Sequence, residues 1–196
     1  MSKVTVQATD PRTFVADAMM VVLAGASARP SQELQALDAA LGGEIAARRD
    51  LGDLAVGADG PVSIPGLDRV GATRLVIVST GPEATPDEVR AAAAAAGCAV
   101  VRMGAKHVAL WVERDAEPHQ QAHATIAAAT EGLLLGAHPV WSYARDDGRS
   151  APPDRVTVLV PGEASEQDSD PATDAPADAT IADAVRAAAI VAEAAG

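Results

Sequence analysis

The chain has 196 residues, 48% of them hydrophobic and only 2% aromatic, and its formal net charge is −12. A chain of this length can bury one sizeable core and is short for two. The acidic balance and the scarcity of aromatic rings argue against nucleic-acid partners, because phosphate backbones are repelled and unpaired bases find few rings on which to stack.

Cysteine usage and the amino terminus predict a cytoplasmic protein. Cys98 is the only cysteine, so an internal disulfide is excluded, as expected in a reducing compartment. Residues 1–6 alternate polar and apolar side chains and lack the apolar run of a signal peptide. No stretch approaches the roughly 20 apolar residues that span a membrane, so no membrane partner is expected.

Strands and helices are predicted to alternate along the chain. Val4 and Val6 indicate a strand with one buried face, whereas the unbroken apolar run 18–23 indicates an interior strand. Ser31 is a capping residue at the start of a helix, and Thr85 is another. The expected elements are strands at 4–6, 18–23, 62–64, 75–78, 107–112 and 155–160, and helices at 31–41, 44–49, 85–103, 118–137 and 181–195. This order predicts an α/β layered domain over residues 1–160, with a largely parallel or mixed sheet.

Composition changes after the last predicted strand. Residues 161–180 carry six acidic side chains and no Val, Ile, Leu, Met or aromatic residue. Such a segment cannot bury enough surface to offset its ordering entropy, so it is predicted to be a flexible acidic linker. The terminal segment 181–196 is predicted to be helical, with Ile181 and Val185 on one face. It needs a partner surface, and three alternatives stay open: folding back on the domain, pairing with another copy, or leading into a further part of the protein.

Two groups of side chains are candidates for chemistry. His119 and His123 lie four residues apart on a predicted helix, so both imidazoles could reach one metal ion. The Glu of a zinc-protease helix is missing between them and few other ligands stand nearby, which favours solvated histidines. Cys98 with His107 or His138 as its base is the other candidate, but a packed, unreactive thiol in an alanine-rich helix is favoured.

Two segments are candidates for ion binding. Residues 79–81 (Ser-Thr-Gly) follow a buried strand and precede the helix that starts at Thr85, so backbone amides there could bind an anion or a nucleotide. No G-x-G-x-x-G or G-x-x-x-x-G-K-[ST] pattern accompanies this turn. The acids of 161–180 lack the spacing of a calcium loop and are predicted to be solvated. No catalytic, cofactor-binding or metal-ligating residue is therefore assigned.

Several short motifs occur in the order found in the amino-terminal domain of the leucyl aminopeptidase family. Residues 37–43 (LDAALGG), followed by Gly52, Asp53 and Gly57, resemble the family's helix with paired glycines and its G-D-x-x-x-G loop. Further resemblance lies in 64–66 (IPG), 75–81 (LVIVSTG), 104–110 (GAKHVAL) and the E-G-x-x-L-G-x-Y-x-F-x-x-Y stretch, matched by Glu131, Gly132, Leu135, Gly136 and Tyr143.

The sequence departs from the family pattern at several positions. Ser79 and Thr80 replace part of a V-G-L-G strand ending, and His138 stands where an aromatic residue is usual. Val140 replaces Phe, and Ala144 stands where a basic residue often follows.

The resemblance implies a three-layer, macro-domain-like α/β fold within a cytoplasmic metallo-exopeptidase that assembles as a hexamer. In that family two divalent metals, zinc or manganese, are held by a Lys, several Asp and a Glu of the catalytic domain, which includes an N-T-D-A-E-G-R segment. That segment does not occur here, so no cofactor is assigned and no hydrolysis by this chain alone is predicted. The expected partners are a leucyl aminopeptidase catalytic domain or other copies of the chain.

Three functions are compatible with these patterns. The first is a non-catalytic domain of a leucyl aminopeptidase that stabilises assembly or shapes access to the catalytic domain. The second is a free-standing macro-like domain that binds a nucleotide or an ADP-ribose-like ligand near Gly81. The third is DNA binding, against which the acidic charge argues.

Overall fold

The structure is a computed structural model, and it describes residues 2–24, 30–55, 60–81, 83–114, 119–138, 151–160 and 177–195. Six strands in these ranges form one sheet, in the order β1-β6-β5-β2-β4-β3. They are β1 (Lys3–Ala8), β2 (Ala16–Ala24), β3 (Val62–Pro65), β4 (Ala72–Ser79), β5 (His107–Arg114) and β6 (Arg155–Val160). All neighbouring strands are parallel except β3, which is antiparallel to β4.

The central strands are buried on both faces, which explains their unbroken apolar sequences. On β2, Met20 and Val22 contribute to one core, whereas Met19 and Val21 contribute to the other. All four side chains have no exposed surface. Successive side chains of a strand point to opposite faces, so a strand that is covered on both sides must be apolar throughout.

Helices cover the two faces of the sheet and complete a three-layer arrangement. The described helices are α1 (Gln32–Leu41), α2 (Glu44–Asp50), α3 (Pro86–Arg102), α4 (His119–Ala137) and α5 (Ala177–Ala195). Helices α1 and α2 contribute to one core, and α3, α4 and α5 contribute to the other. The prediction of an α/β domain with a mixed, largely parallel sheet is therefore confirmed.

Capping side chains fix where α1 and α2 begin and end. The Ser31 hydroxyl accepts a hydrogen bond from the Leu34 N–H at 3.1 Å, which satisfies a free amide of the first turn. Gly42 ends α1 in the left-handed conformation, with φ +79°. Asp38 Oδ1 then accepts from the N–H of Ile45 at 2.8 Å, so one carboxylate of α1 also caps α2.

The terminal helix α5 lies against the rest of the domain. It packs on α4 and on β1. Its buried residues Ile181, Val185, Ala188 and Ala192 recur every three or four positions and so form one stripe. Of the alternatives left open by the sequence, folding back onto the domain is the one that the structure shows. The helix begins at Ala177, earlier than the predicted position 181. Residues 177–180 of the predicted linker are therefore helical.

Candidate functional site

The carboxyl ends of the parallel strands meet at one edge of the sheet, where ligands of α/β proteins commonly bind. The ends of β2 and β4 are joined there by Thr80. Its N–H donates to the Leu23 carbonyl at 3.0 Å, and its hydroxyl donates to the same oxygen at 3.4 Å. Thr80 is only 4% exposed. The predicted anion-binding turn at 79–81 is therefore anchored by strand-end hydrogen bonds.

A buried carboxylate lies at the same edge. Glu113, near the end of β5, is 7% exposed. Its two oxygens accept hydrogen bonds from the N–H and the hydroxyl of Ser31, both at 2.8 Å. The Glu113 carboxylate thus fixes the position of Ser31, the residue that caps α1. Sequence analysis missed Glu113, although an acid that directly follows the apolar run 108–112 is an available signal.

A crevice of about 190 Å³ opens beside the end of β4. We call it the β4 crevice. Its walls present both apolar and polar surface and come from the loop after α2, from β4 and from α3: they include Leu54, Ile77, Ala92 and Ala95, with Asp53 and Ser79 as polar members. Ser79, which lines it, belongs to the predicted ligand-binding turn at 79–81.

The amino terminus of α3 already has an anionic partner. Glu88 Oε2 accepts from the Thr85 N–H at 2.7 Å, while the Glu88 N–H donates to the Thr85 hydroxyl at 3.3 Å. The two hydrogen bonds form a capping box, and the one that the Glu88 carboxylate accepts from the Thr85 N–H is the main cause that lowers the pKa of Glu88. An external anion at this helix end would compete with the carboxylate of Glu88.

A second crevice, of about 160 Å³, lies between β1, α4 and α5. Val4, Leu134, Ala189 and Ala192 supply apolar walls, and His138 lies at its border. The apolar lining of this crevice favours apolar contacts over a chemical reaction.

Helices α3 and α4 approach each other closely because glycines stand at their contact. A Cβ atom at Gly136 would lie 2.0 Å from the carbonyl oxygen of Ala94, and one at Gly132 would lie 2.2 Å from that of Arg90. Any larger side chain would force the helices apart. The Arg90 Nε also lies 2.9 Å from Glu131 Oε2, which pairs the two helices electrostatically.

Two of the motifs that carry the family resemblance therefore have structural roles. The E-G-x-x-L-G stretch of α4 supplies Glu131, Gly132 and Gly136 to the contact with α3, and the L-D-A-A-L-G-G stretch supplies the caps of α1 and α2. The sequence profile of the cytosol aminopeptidase family, N-terminal domain, matches residues 21–145. The chain belongs to the cytosol aminopeptidase family. The resemblance stated from the motifs is thus confirmed.

Solved structures of this family's fold agree with the assignment. A mutant of tomato leucine aminopeptidase superposes with a TM-score of 0.68 at 17% identity, over 96% of this chain and 36% of that one. The bottromycin maturation enzyme BotP in complex with Mn gives a TM-score of 0.52 at 22% identity, over 91% of this chain and 30% of that one. The chain spans about a third of the length of these proteins. No curated protein matches it in sequence.

The aminopeptidase N-terminal domain does not assemble a metal site from its described residues. In these ranges no three or more His, Cys, Asp or Glu side chains are grouped so that they could hold a metal ion. His123 is partly buried on α4, and His119 begins that helix, but the side chain of His119 lies outside the described residues. The described side chains therefore do not form the two-metal centre that the family resemblance implies.

The expectation of a packed thiol at Cys98 is wrong. Cys98 is exposed because it lies beside the inward stripe of α3, which is formed by Val89, Ala93, Ala96 and Val100, and not on it. Its thiol donates to the Gly136 carbonyl at 3.2 Å. His107 lies on β5 and is bound elsewhere, so the structure does not pair it with Cys98.

His107 is held at the amino end of the sheet. Its Nε2 lies 3.1 Å from the Thr157 hydroxyl, and its ring packs edge-on against Phe14 with centroids 5.4 Å apart. Burial lowers the pKa of His107, and the charge of Arg155 lowers it further, against an opposing effect of Asp17. This environment favours the neutral imidazole.

The remaining residues named from the sequence differ in whether the structure describes them. Trp111 is a core residue, 2% exposed. Tyr143 and most of the predicted acidic linker lie outside the described residues. None of the described helices is both long and apolar enough to cross a membrane.

Proposed function

We propose that this domain is a non-catalytic part of a leucyl-aminopeptidase-type protein, in which it stabilises assembly or shapes access to the catalytic domain. One observation carries the proposal: the profile of the family's N-terminal domain matches residues 21–145. The superposition with the tomato enzyme supports it, since nearly all of this chain corresponds to about a third of that protein.

The chemistry of the described residues supports a non-catalytic role. Peptide hydrolysis by the family needs two metals to polarise the carbonyl and generate hydroxide at neutral pH. The polar side chains at the sheet edge are instead engaged in structural hydrogen bonds, such as those between Glu113 and Ser31. We extend the proposal to a macro-like fold, a cytoplasmic location and an oligomeric parent protein, for which the family membership and the single cysteine are the support.

A leucyl-amide hydrolysis assay tests the proposal. The purified chain of 196 residues, incubated with excess Zn²⁺ or Mn²⁺, is expected to release no leucine and to retain no stoichiometric metal after gel filtration. The positive control is a two-domain aminopeptidase of the same family. Stoichiometric metal together with leucine release by this chain would contradict a non-catalytic role.

The β4 crevice favours a second candidate function, namely binding of a nucleotide or ADP-ribose-like ligand. The crevice lies at the carboxyl end of a parallel strand, where such ligands commonly bind. Asp53, which lines the crevice, opposes this function because a carboxylate repels phosphate groups. Calorimetry with ADP-ribose and mononucleotides is expected to show no heat of binding if the first proposal alone is correct. Saturable binding that Ser79→Leu abolishes would establish the second.

A further inference from the structure

The two edges of the sheet differ in how well they are protected from a further strand. One edge is β3, which has four residues and ends at Pro65. The other is β1, which has six residues, no proline and one charged side chain, that of Lys3. Among the described strands, β1 pairs only with β6. Short length, proline and charge protect an edge strand, so β1 is the less protected edge.

The free side of β1 presents the backbone groups of every second residue. Lys3 and Thr9 donate their N–H groups toward β6, at 2.9 and 3.3 Å. Backbone groups of successive residues in a strand point to opposite sides. Those of Val4, Val6 and Ala8 therefore point away from β6. A strand added at this edge would supply them with hydrogen-bond partners.

Helix α5 lies beside the same edge. It contacts both α4 and β1, and β1 is the last strand of the sheet on that side. Its buried stripe faces α4 and β1, so its outer side lies next to the free edge of β1. That side carries a second apolar stripe of exposed residues at helical spacing, Ala187, Ile190, Val191 and Ala194. The nearby charges of Asp183 and Arg186 pair with each other at 2.8 Å.

One twofold axis perpendicular to the sheet brings both features of a second copy into contact. Two paired β1 strands would lie about 4.8 Å apart, and two packed helices about 8–10 Å apart. Each α5 axis would then lie about 2 Å inward of its own β1. This position agrees with the contacts that α5 makes with both β1 and α4. The strand pair and the helix pair would form one interface, and either alone would fall short of the roughly 800 Å² per partner of a stable complex.

The side chains of β1 are suited to antiparallel pairing with a second β1. Val4 and Val6 pack against the core on the face that α5 covers. With Val6 opposite Val6 of the second copy, Val4 lies opposite Ala8 on that same face. Lys3 lies opposite Thr9 on the other face, so no like charges oppose each other.

We propose that two copies of the chain form a symmetric dimer through antiparallel pairing of β1 and packing of α5 on α5. The sheet continues from one copy into the other, and the same surface is used by both. The dissociation constant is expected to be on the order of 100 µM, so the monomer predominates in dilute solution. The inference rests on the proposed role in assembly and names the surfaces through which two copies meet.

Sedimentation velocity from about 10 to 500 µM tests the strand contact with two variants at one position. Ala8→Pro removes an N–H that points away from β6, so the pairing within the chain is retained. Ala8→Val is the matched control, because it keeps this N–H and is a good strand former. The unmodified chain and Ala8→Val are expected to shift from monomer to dimer with concentration. Ala8→Pro is expected to weaken the association about tenfold or more.

A second pair of variants tests the helix contact in the same experiment. Ile190→Asp places a carboxylate in the α5 stripe and is expected to weaken the association about tenfold or more. Leu51→Asp is the matched control: Leu51 is 74% exposed at the end of α2, and α2 belongs to the opposite face of the sheet. It is expected to associate as the unmodified chain does.

Amide hydrogen exchange followed by NMR tests the register of the strands. The N–H groups of Val4, Val6 and Ala8 are expected to become protected only at the high concentration, whereas that of Thr5 is protected at both. A chain that stays monomeric, association that survives Ala8→Pro and Ile190→Asp, or equal loss in a control variant overturns the proposal. These outcomes are independent of the leucine-release assay, so either proposal can fail without the other.

Discussion

Single polar residues in this domain are held by partners that are distant in sequence. Glu113 and Ser31 are 82 positions apart, and His107 and Thr157 are 50 positions apart. Each such pair satisfies a group that would otherwise be buried without a hydrogen bond, which is costly. Of these four residues, the sequence indicated Ser31 as a helix cap and His107 as a candidate base for Cys98, but it predicted neither pairing.

Acid is expected to destabilise the domain through His107. Its pKa is lowered in the folded state by burial and by Arg155, so the unfolded state binds more protons. The contribution of neutral His107 is present above the unfolded pKa of about 6.5 and is lost as the pH falls below it. Urea unfolding at about pH 7.5 and pH 5.5 measures the effect. The loss of unfolding free energy between these two pH values is expected to be smaller in His107→Gln than in the unmodified chain. In the control His138→Gln, at an exposed position, we expect the same loss as in the unmodified chain.

The effect of His107 on the pH dependence of stability can be distinguished from that of Asp17, because the two contributions are lost over different pH ranges. Asp17 accepts hydrogen bonds from the N–H groups of Lys106 and His107 at 2.8 Å, which lower its pKa. Its contribution is therefore lost only as the pH falls below about 4. An unaltered pH dependence in His107→Gln would show that the neutral imidazole does not contribute to stability.

At the scale of elements, the α3–α4 pair depends on small residues. Gly97 on α3 and Gly132 and Gly136 on α4 bring backbone atoms of one helix against the other. Alanines such as Ala93 and Ala96 fill the rest of the contact with no exposed surface. The low aromatic content of the chain is consistent with this packing, since rings would hold the helices further apart.

Gly136→Ala is expected to destabilise the domain by about 1–3 kcal/mol. The added methyl would lie 2.0 Å from the Ala94 carbonyl oxygen, and the resulting displacement outweighs the gain of about 1 kcal/mol in helix propensity. Denaturant unfolding measures the difference. The control is Ala124→Leu on the exposed side of the same helix, for which we expect a change within about 0.5 kcal/mol. Equal stabilities of the two variants would contradict close packing at Gly136.

At the scale of the whole molecule, α5 completes the layer formed by α3 and α4. Val185 is 3% exposed, whereas Ile190 on the same helix is 61% exposed. The helix therefore has one apolar stripe against α4 and β1, and a second apolar surface that faces solvent. Its inner stripe makes α5 part of the hydrophobic core rather than an appendage.

Val185→Asp is expected to lower the free energy of unfolding by about 3 kcal/mol or more, because a carboxylate would be buried among apolar side chains. Ile190→Asp is the matched control and is expected to change stability by about 0.5 kcal/mol or less. Thermal unfolding followed by circular dichroism measures both. Two variants with the same midpoint would indicate that α5 does not pack on the domain in solution.

Local patterns were sufficient to predict most elements and the family. The run 18–23, the capping residues Ser31 and Thr85, and the motif at 37–43 each depend on residues a few positions apart, and local backbone preferences act at that range. The prediction for Cys98 failed because position 98 lies beside the buried stripe of Val89, Ala93, Ala96 and Val100 and not on it, so an alanine-rich setting did not imply a packed thiol.

The sequence by itself therefore determined the alternation of strands and helices, the apolar character of the central sheet and membership of the cytosol aminopeptidase family. Only the tertiary structure decided the strand order, the position of α5 on α4 and β1, the link from Glu113 to Ser31, and the pairing of Gly136 with Ala94. The physical reason is that helix and strand formation is governed by near neighbours along the chain. Burial and hydrogen bonding of a side chain instead depend on whichever distant segment the packed core places beside it.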